Sequence, residues 1–277
     1  MTTPFGERLA AVTDVRGRAC IGIDPHVSLL AAWGLDDDVA GVERFARTTV
    51  EAVADIAAVV KPQSAFFERH GSRGVAVLEQ VIADARSAGA IVVVDAKRGD
   101  IGSTMAAYAD AYLDPSSPLC GDAVTASPYL GFGSLQPMID VALAHGTGIF
   151  VLALTSNPEG AEVQRATHGS GRTVAGVVLD HVRDLNAGAP RWGNFGCVVG
   201  ATIDPAGENL QVNGPLLAPG IGAQGGRPTV LPTVFGAALH DVVPAVSRSV
   251  LTAGPEPGAV RDAARRTVDD IRRVLAV

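Results

Sequence analysis

Ile91-Val92-Val93-Val94-Asp95-Ala96-Lys97-Arg98-Gly99-Asp100 reads as a buried strand that runs directly into a charged loop. Four consecutive β-branched aliphatic residues fit a strand covered on both faces, as in parallel sheets. Asp95 and Lys97, two residues apart, share one face of that strand. Charges set just beyond an apolar run are costly to desolvate unless they are paired or put to use. Carboxylates beside an ammonium favour its charged form, so the stretch describes a positioned proton donor. A purely structural ion pair is the bland alternative.

The same pattern repeats on both sides of this stretch. Apolar runs that end in polar or glycine-containing turns occur at 19–24, 57–62, 91–97, 123–127, 148–155, 196–202, 216–220 and 246–251. Segments with helical spacing separate them at 39–56, 73–88, 103–113, 132–145, 173–186 and 229–244, with 257–275 closing the chain. The connection at 203–214 looks short and irregular. Eight strands with crossover segments predict a (β/α)8 TIM barrel, expected as one domain over residues 1–277. A doubly wound open sheet competes, but the polar residues of interest fall at many strand ends rather than at one switch point. The glycine- and charge-rich stretch 157–172 reads as an active-site loop or lid.

Composition narrows the function. With 277 residues and 47% hydrophobic content the chain can bury a large core, and its net charge of −7 disfavours a nucleic-acid surface. Anionic ligands must therefore be caught locally. Cys20, Cys120 and Cys197 are dispersed and form no metal-ligand pattern, which suits a reducing compartment. The six histidines are equally scattered, and no metal is expected. Met1–Arg8 has no signal-like apolar run, and no later stretch is long enough to span a bilayer, so the expectation is a cytoplasmic protein without membrane contact.

Other strand ends add Asp24 in Ile23-Asp24-Pro25 and Lys61 in Val60-Lys61-Pro62. Either could be no more than a turn former or a solvated terminus. Pro219-Gly220-Ile221-Gly222-Ala223-Gln224-Gly225-Gly226 follows an apolar run, and its glycines would let backbone N–H groups approach an anion. Arg248 comes next, where the last strands of such barrels commonly build a phosphate site.

Asp95-Ala96-Lys97-Arg98-Gly99-Asp100-Ile101-Gly102-Ser103-Thr104 resembles the signature of the orotidine 5′-phosphate decarboxylase family, and Asp24, Lys61, 219–226 and Arg248 follow its order. The long loops resemble the larger bacterial subgroup. The resemblance implies decarboxylation of orotidine 5′-monophosphate to UMP in pyrimidine biosynthesis, without metal or organic cofactor. It implies that Lys97 protonates C6 of the pyrimidine, within an Asp95/Lys97/Asp100 charge network to which Lys61 is linked. Asp24 would contact the ribose, and Gln224 and Arg248 the phosphate. Ser156 would contact the pyrimidine amide, with Thr155 competing for that role. Asp100, Ile101 and Thr104 match residues that the family donates across a homodimer interface into the neighbouring site. Two rivals stand beside this reading: a metal-dependent lyase built on the same Asp-x-Lys-x-x-Asp core, and a noncatalytic nucleotide-binding barrel.

Overall fold

Eight strands pair in chain order: β1 (Cys20–Ile23), β2 (Val59–Pro62), β3 (Ile91–Arg98), β4 (Ala123–Ala126), β5 (Gly148–Leu154), β6 (Phe195–Val199), β7 (Leu216–Pro219) and β8 (Val242–Val246). Every pairing is parallel, and β8 returns to β1 through Cys20–Ala245 and Ile21–Val246, which closes the barrel. The computed structural model describes residues 3–205, 207–222 and 226–276.

Period-two alternation divides the apolar residues into two cores. Inward-facing Cys20, Val59, Ile91, Val93, Ala123, Phe150, Val198, Leu217, Val243 and Ala245 fill the lumen. The residues between them, such as Ile21, Val60, Val92, Val94 and Val124, face the surrounding helices. Burial on both sides is why these strands read as unbroken apolar runs. Continuing the inward parity towards the strand C-termini reaches Asp24, Lys61, Asp95, Lys97, Thr125 and Ser247. The lumen is thus an oily floor with a polar rim, the end of such barrels that carries function.

The helix Phe5–Arg16, which the sequence reading did not anticipate, closes the opposite end. Its buried positions Phe5, Leu9 and Thr13 recur every four residues. Phe5 packs edge-on against Phe150 at 5.9 Å. A Cβ on Gly148 would sit 2.2 Å from the Phe5 ring, so only glycine admits this plug. Arg8 pairs with Asp122, which also accepts the Val92 N–H at 2.9 Å.

The last strand corrects the sequence reading. The barrel uses Val242–Val246, and the expected strand at 246–251 is instead a short helix, Arg248–Leu251. Pro244 argued against a strand where one exists. Val246 pairs with Ile21 and is the last residue of β8, so the residues beyond it have left the sheet. The expected helix at 229–244 is likewise broken into a 3₁₀ turn, the helix Leu231–Phe235 and a second 3₁₀ segment, punctuated by Pro228, Pro232 and Gly236. The closing helix Pro257–Leu275 has the expected bounds.

Candidate active site

Asp95 is the hub of the rim. Its Oδ2 accepts from Lys61 Nζ at 2.8 Å, and its Oδ1 accepts from Lys97 Nζ at 2.6 Å and from Thr125 Oγ1 at 2.8 Å. Lys61 and Asp95 are only 7% and 8% exposed, whereas the Lys97 side chain is 43% exposed and so remains accessible from the mouth. Burial alone would neutralise both members of the buried pair. It opposes the Asp95 charge, yet the two ammoniums outweigh it and hold the carboxyl below the usual carboxylate range. Burial likewise opposes the charge on Lys61, and the carboxylates of Asp95 and Asp24 overcome it and raise its pKa. Asp95 therefore stays anionic and Lys61 cationic across the neutral range.

Lys97 reaches Asp95 from an irregular strand end rather than from the regular one that simple alternation supposes. Its φ is +47°, in the left-handed region that lysine rarely adopts, and the β3–β4 register slips between Val94 and Arg98. Thr125 fastens the irregularity, because its hydroxyl oxygen accepts the Lys97 N–H at 2.9 Å while its proton goes to Asp95. Nothing in the residue pattern signals this role, since a threonine within Ala123–Ala126 is an ordinary strand residue.

Across the mouth, Gly22, Asp24, His26, Lys61, Pro219, Gly220, Ile221, Ser247 and Arg248 line one cavity. Two buried polar atoms there, Asp24 Oδ1 and Ser247 Oγ, have no hydrogen-bond partner among the described residues. Buried polar atoms are nearly always satisfied, so a pair of orphans in a cavity marks where a polar ligand would bind. Arg248 is exposed at the start of its helix and makes no ion pair with any described residue. Gly222 lies at φ +87°, and its N–H bonds the Gly226 carbonyl at 2.7 Å. Gln224 lies outside the described residues. His26, one of the six scattered histidines, is half-buried in this cavity wall and packs against Phe66 at 4.3 Å.

The remaining candidates stand apart from the hub. The Asp100 carboxylate accepts the Ile101 N–H at 2.8 Å, and among the described residues no hydrogen bond or ion pair joins it to Lys97. Ile101 is 62% exposed, and Thr104 is exposed on the first turn of the helix Gly102–Leu113. Of the two residues that compete after β5, Thr155 is tied to Gln164 and Asn157 through its hydroxyl, whereas Ser156 is exposed. The stretch 157–172 is ordered against the loop after β6: Arg165 donates to the Asp204 carbonyl, and Arg172 pairs with Glu208 at 3.2 Å. Among the described residues, no three His, Cys, Asp or Glu side chains gather in a metal-binding group, and no helix is long and apolar enough to cross a membrane.

The comparisons with known proteins agree with this geometry. Residues 17–263 match the Orotidine 5′-phosphate decarboxylase / HUMPS family. A curated orotidine 5′-phosphate decarboxylase from Salinispora arenicola is 64% identical over 272 residues, and one from Streptomyces coelicolor is 63% identical over 273 residues. Each alignment covers 98% of both chains. The crystal structure of a Streptomyces avermitilis homologue superposes with a TM-score of 0.98 at 61% identity, covering 100% of this chain and 97% of the other. A matched region that spans the whole barrel, and relatives of this identity along nearly their full length, show that the chain belongs to the orotidine 5′-phosphate decarboxylase family.

Proposed function

We propose that Lys97 protonates C6 of orotidine 5′-monophosphate as carbon dioxide departs, and that the chain thereby converts this nucleotide to UMP. The observation that carries the reading is one buried carboxylate at the barrel mouth, Asp95, held between two lysines at 2.8 and 2.6 Å, one sealed and one accessible. Breaking the C6–carboxylate bond leaves an electron pair in the ring plane at C6, where the π-system cannot delocalise it. An ammonium fixed nearby stabilises that charge as it forms and then transfers a proton to it. Lys97 becomes a neutral amine and regains its proton from water. Lys61 keeps Asp95 ionised and fixed, so the charges are oriented before substrate arrives.

The Asp24 carboxylate oxygen, without a hydrogen-bond partner among the described residues, supports a ribose contact, and Arg248, which pairs with no described residue, supports a phosphate contact in the same cavity. Binding energy from the phosphate, far from C6, then serves to position the reacting ring. Exposed Ile101, with Tyr129 at 76% and Leu130 at 53% exposure on the adjacent loop, supports a homodimer in which Asp100, Ile101 and Thr104 complete the partner's site.

Conversion is tested by following orotidine 5′-monophosphate absorbance with chelator present, for the natural chain and for Lys97→Ala. UMP formation that the substitution abolishes is expected; an inactive but folded natural chain would sink the reading. For the shared site, Lys97→Ala and Asp100→Ala chains are mixed. Random pairing of two chain types should restore about a quarter of native activity. No recovery after demonstrated subunit exchange would refute sharing.

A further inference from the structure

Arg98 follows the proposed acid but takes no part in the rim. By alternation it faces outward, and its guanidinium lies over two aromatic rings, 5.5 Å from the Tyr108 centroid and 5.6 Å from that of Tyr112. Nη2 pairs with Glu68 and donates to the Tyr112 hydroxyl at 3.0 Å, while Nη1 reaches back to the Ala96 carbonyl at 3.3 Å. Glu68 also accepts from the Ser64 hydroxyl, and the Ser64 N–H bonds the Asp95 carbonyl at 3.2 Å. The Arg98 carbonyl accepts the Ser127 N–H at 2.8 Å.

These contacts surround Lys97. The residue before it and the residue after it are both pinned, and the pin is anchored in two separate helices. Glu68 belongs to the short helix Ala65–Glu68 that follows the Lys61 strand, and Tyr112 belongs to the helix that begins beside Asp100 and Ile101. A lysine in the left-handed region persists only where its surroundings over-determine it. The Thr125 hydroxyl fixes one side of the turn, and the Arg98 guanidinium is the obvious clamp on the other.

We propose that Arg98, clamped by Glu68 and Tyr112, is a positioning residue that fixes the backbone turn at Lys97 and thereby keeps its ammonium on Asp95. The clamp ties together the strand ends that carry the two lysines, and it acts on the chemical step rather than on substrate capture. Arginine suits this role because its planar fork reaches a carboxylate, a hydroxyl and a carbonyl at once, which an ammonium on a flexible stem does not. The inference rests on Lys97 being the proton donor.

The test measures kcat, KM and melting temperature for Glu68→Gln, Arg98→Lys, Tyr112→Phe and the double variant Glu68→Gln/Arg98→Lys, with Lys97→Ala alongside. Glu68→Gln and Arg98→Lys should each lower kcat by about tenfold or more while KM stays within about threefold, since only the geometry of the reacting group is disturbed. The double variant should be no worse than the poorer single one, because both break the same clamp. Tyr112→Phe, which removes one hydroxyl and keeps the ring, should lie between these and the natural chain, and it carries the inference if Arg98→Lys does not fold. Folded variants with kcat within about twofold of the natural chain, or losses confined to KM, would overturn the proposal. Should Lys97→Ala itself retain activity, the underlying assignment of the acid fails instead, and the two failures are told apart.

Discussion

Each end of the barrel has one buried carboxylate bound to two cations, and the two sets of partners differ in kind. At the mouth, Asp95 holds the ammoniums of Lys61 and Lys97 and the hydroxyl of Thr125. At the floor, Asp122 holds the guanidinium of Arg8, has that of Arg86 4.0 Å away, and accepts the Val92 N–H. The electrostatics are alike, but the chemistry is not. A guanidinium keeps its protons under all ordinary conditions, so the Asp122 cluster can only fasten the plug helix to the sheet. An ammonium can release one. Giving the mouth carboxylate lysine partners and the floor carboxylate arginine partners separates a site that acts from a site that holds.

The largest effect expected is at Lys97. Lys97→Ala should lower kcat by ~10⁴-fold, the combined loss of an acid and of a charge at the reacting atom, with a melting temperature close to the natural one. A rate loss below about a hundredfold would erase the distinction between the two ends. Asp95→Asn should lower both activity and stability. It leaves two lysines facing each other, one of them buried, and breaking a buried ion pair from one side costs about 3–5 kcal/mol. Chemical denaturation would check this. Asp122→Asn should cost about 2 kcal/mol in the same measurement and leave kcat per folded molecule unchanged. A fall in its kcat would mean that the floor takes part in the reaction.

The smallest effect is a pH dependence. The Asp95 pKa is depressed on folding, so its contribution is fully present above the unfolded value near 3.8 and is lost as pH falls through the folded value. Lys61 is shifted the other way, so its contribution is present below about 10.5 and lost only above it. The stability gap between the natural chain and Asp95→Asn should therefore narrow as pH falls below about 4. A gap that closes near neutrality would contradict the depressed carboxyl.

Much of this was legible because parallel barrels write themselves plainly. Strands buried on both faces become apolar runs, and a charge at the end of such a run stands out, as Asp24, Lys61, Asp95 and Lys97 do. The last strand was misread because Pro244 interrupts the real one while Val246–Leu251 imitates another. Thr125 was invisible because its importance lies in two hydrogen bonds to a neighbouring strand, not in its residue type. Asp122 sits alone before an apolar run and looks like a turn residue until Arg8, 114 positions away, is seen beside it. The placement of Asp100 apart from Lys97 also needs three dimensions, since a loop's direction is set by what it packs against.

The plug helix carries a consequence for how the chain is assembled. Phe5 needs Phe150 for its seat, Arg8 needs Asp122, and the Gly6 N–H bonds Asn194 Oδ1 at 3.1 Å, 188 positions further along. During synthesis this segment leaves the ribosome ahead of all three partners, so a long stretch of polypeptide must follow before its berth exists. This helix is made before the residues that seat it and is thus among the last to dock, and until then the lumen floor lies open to water.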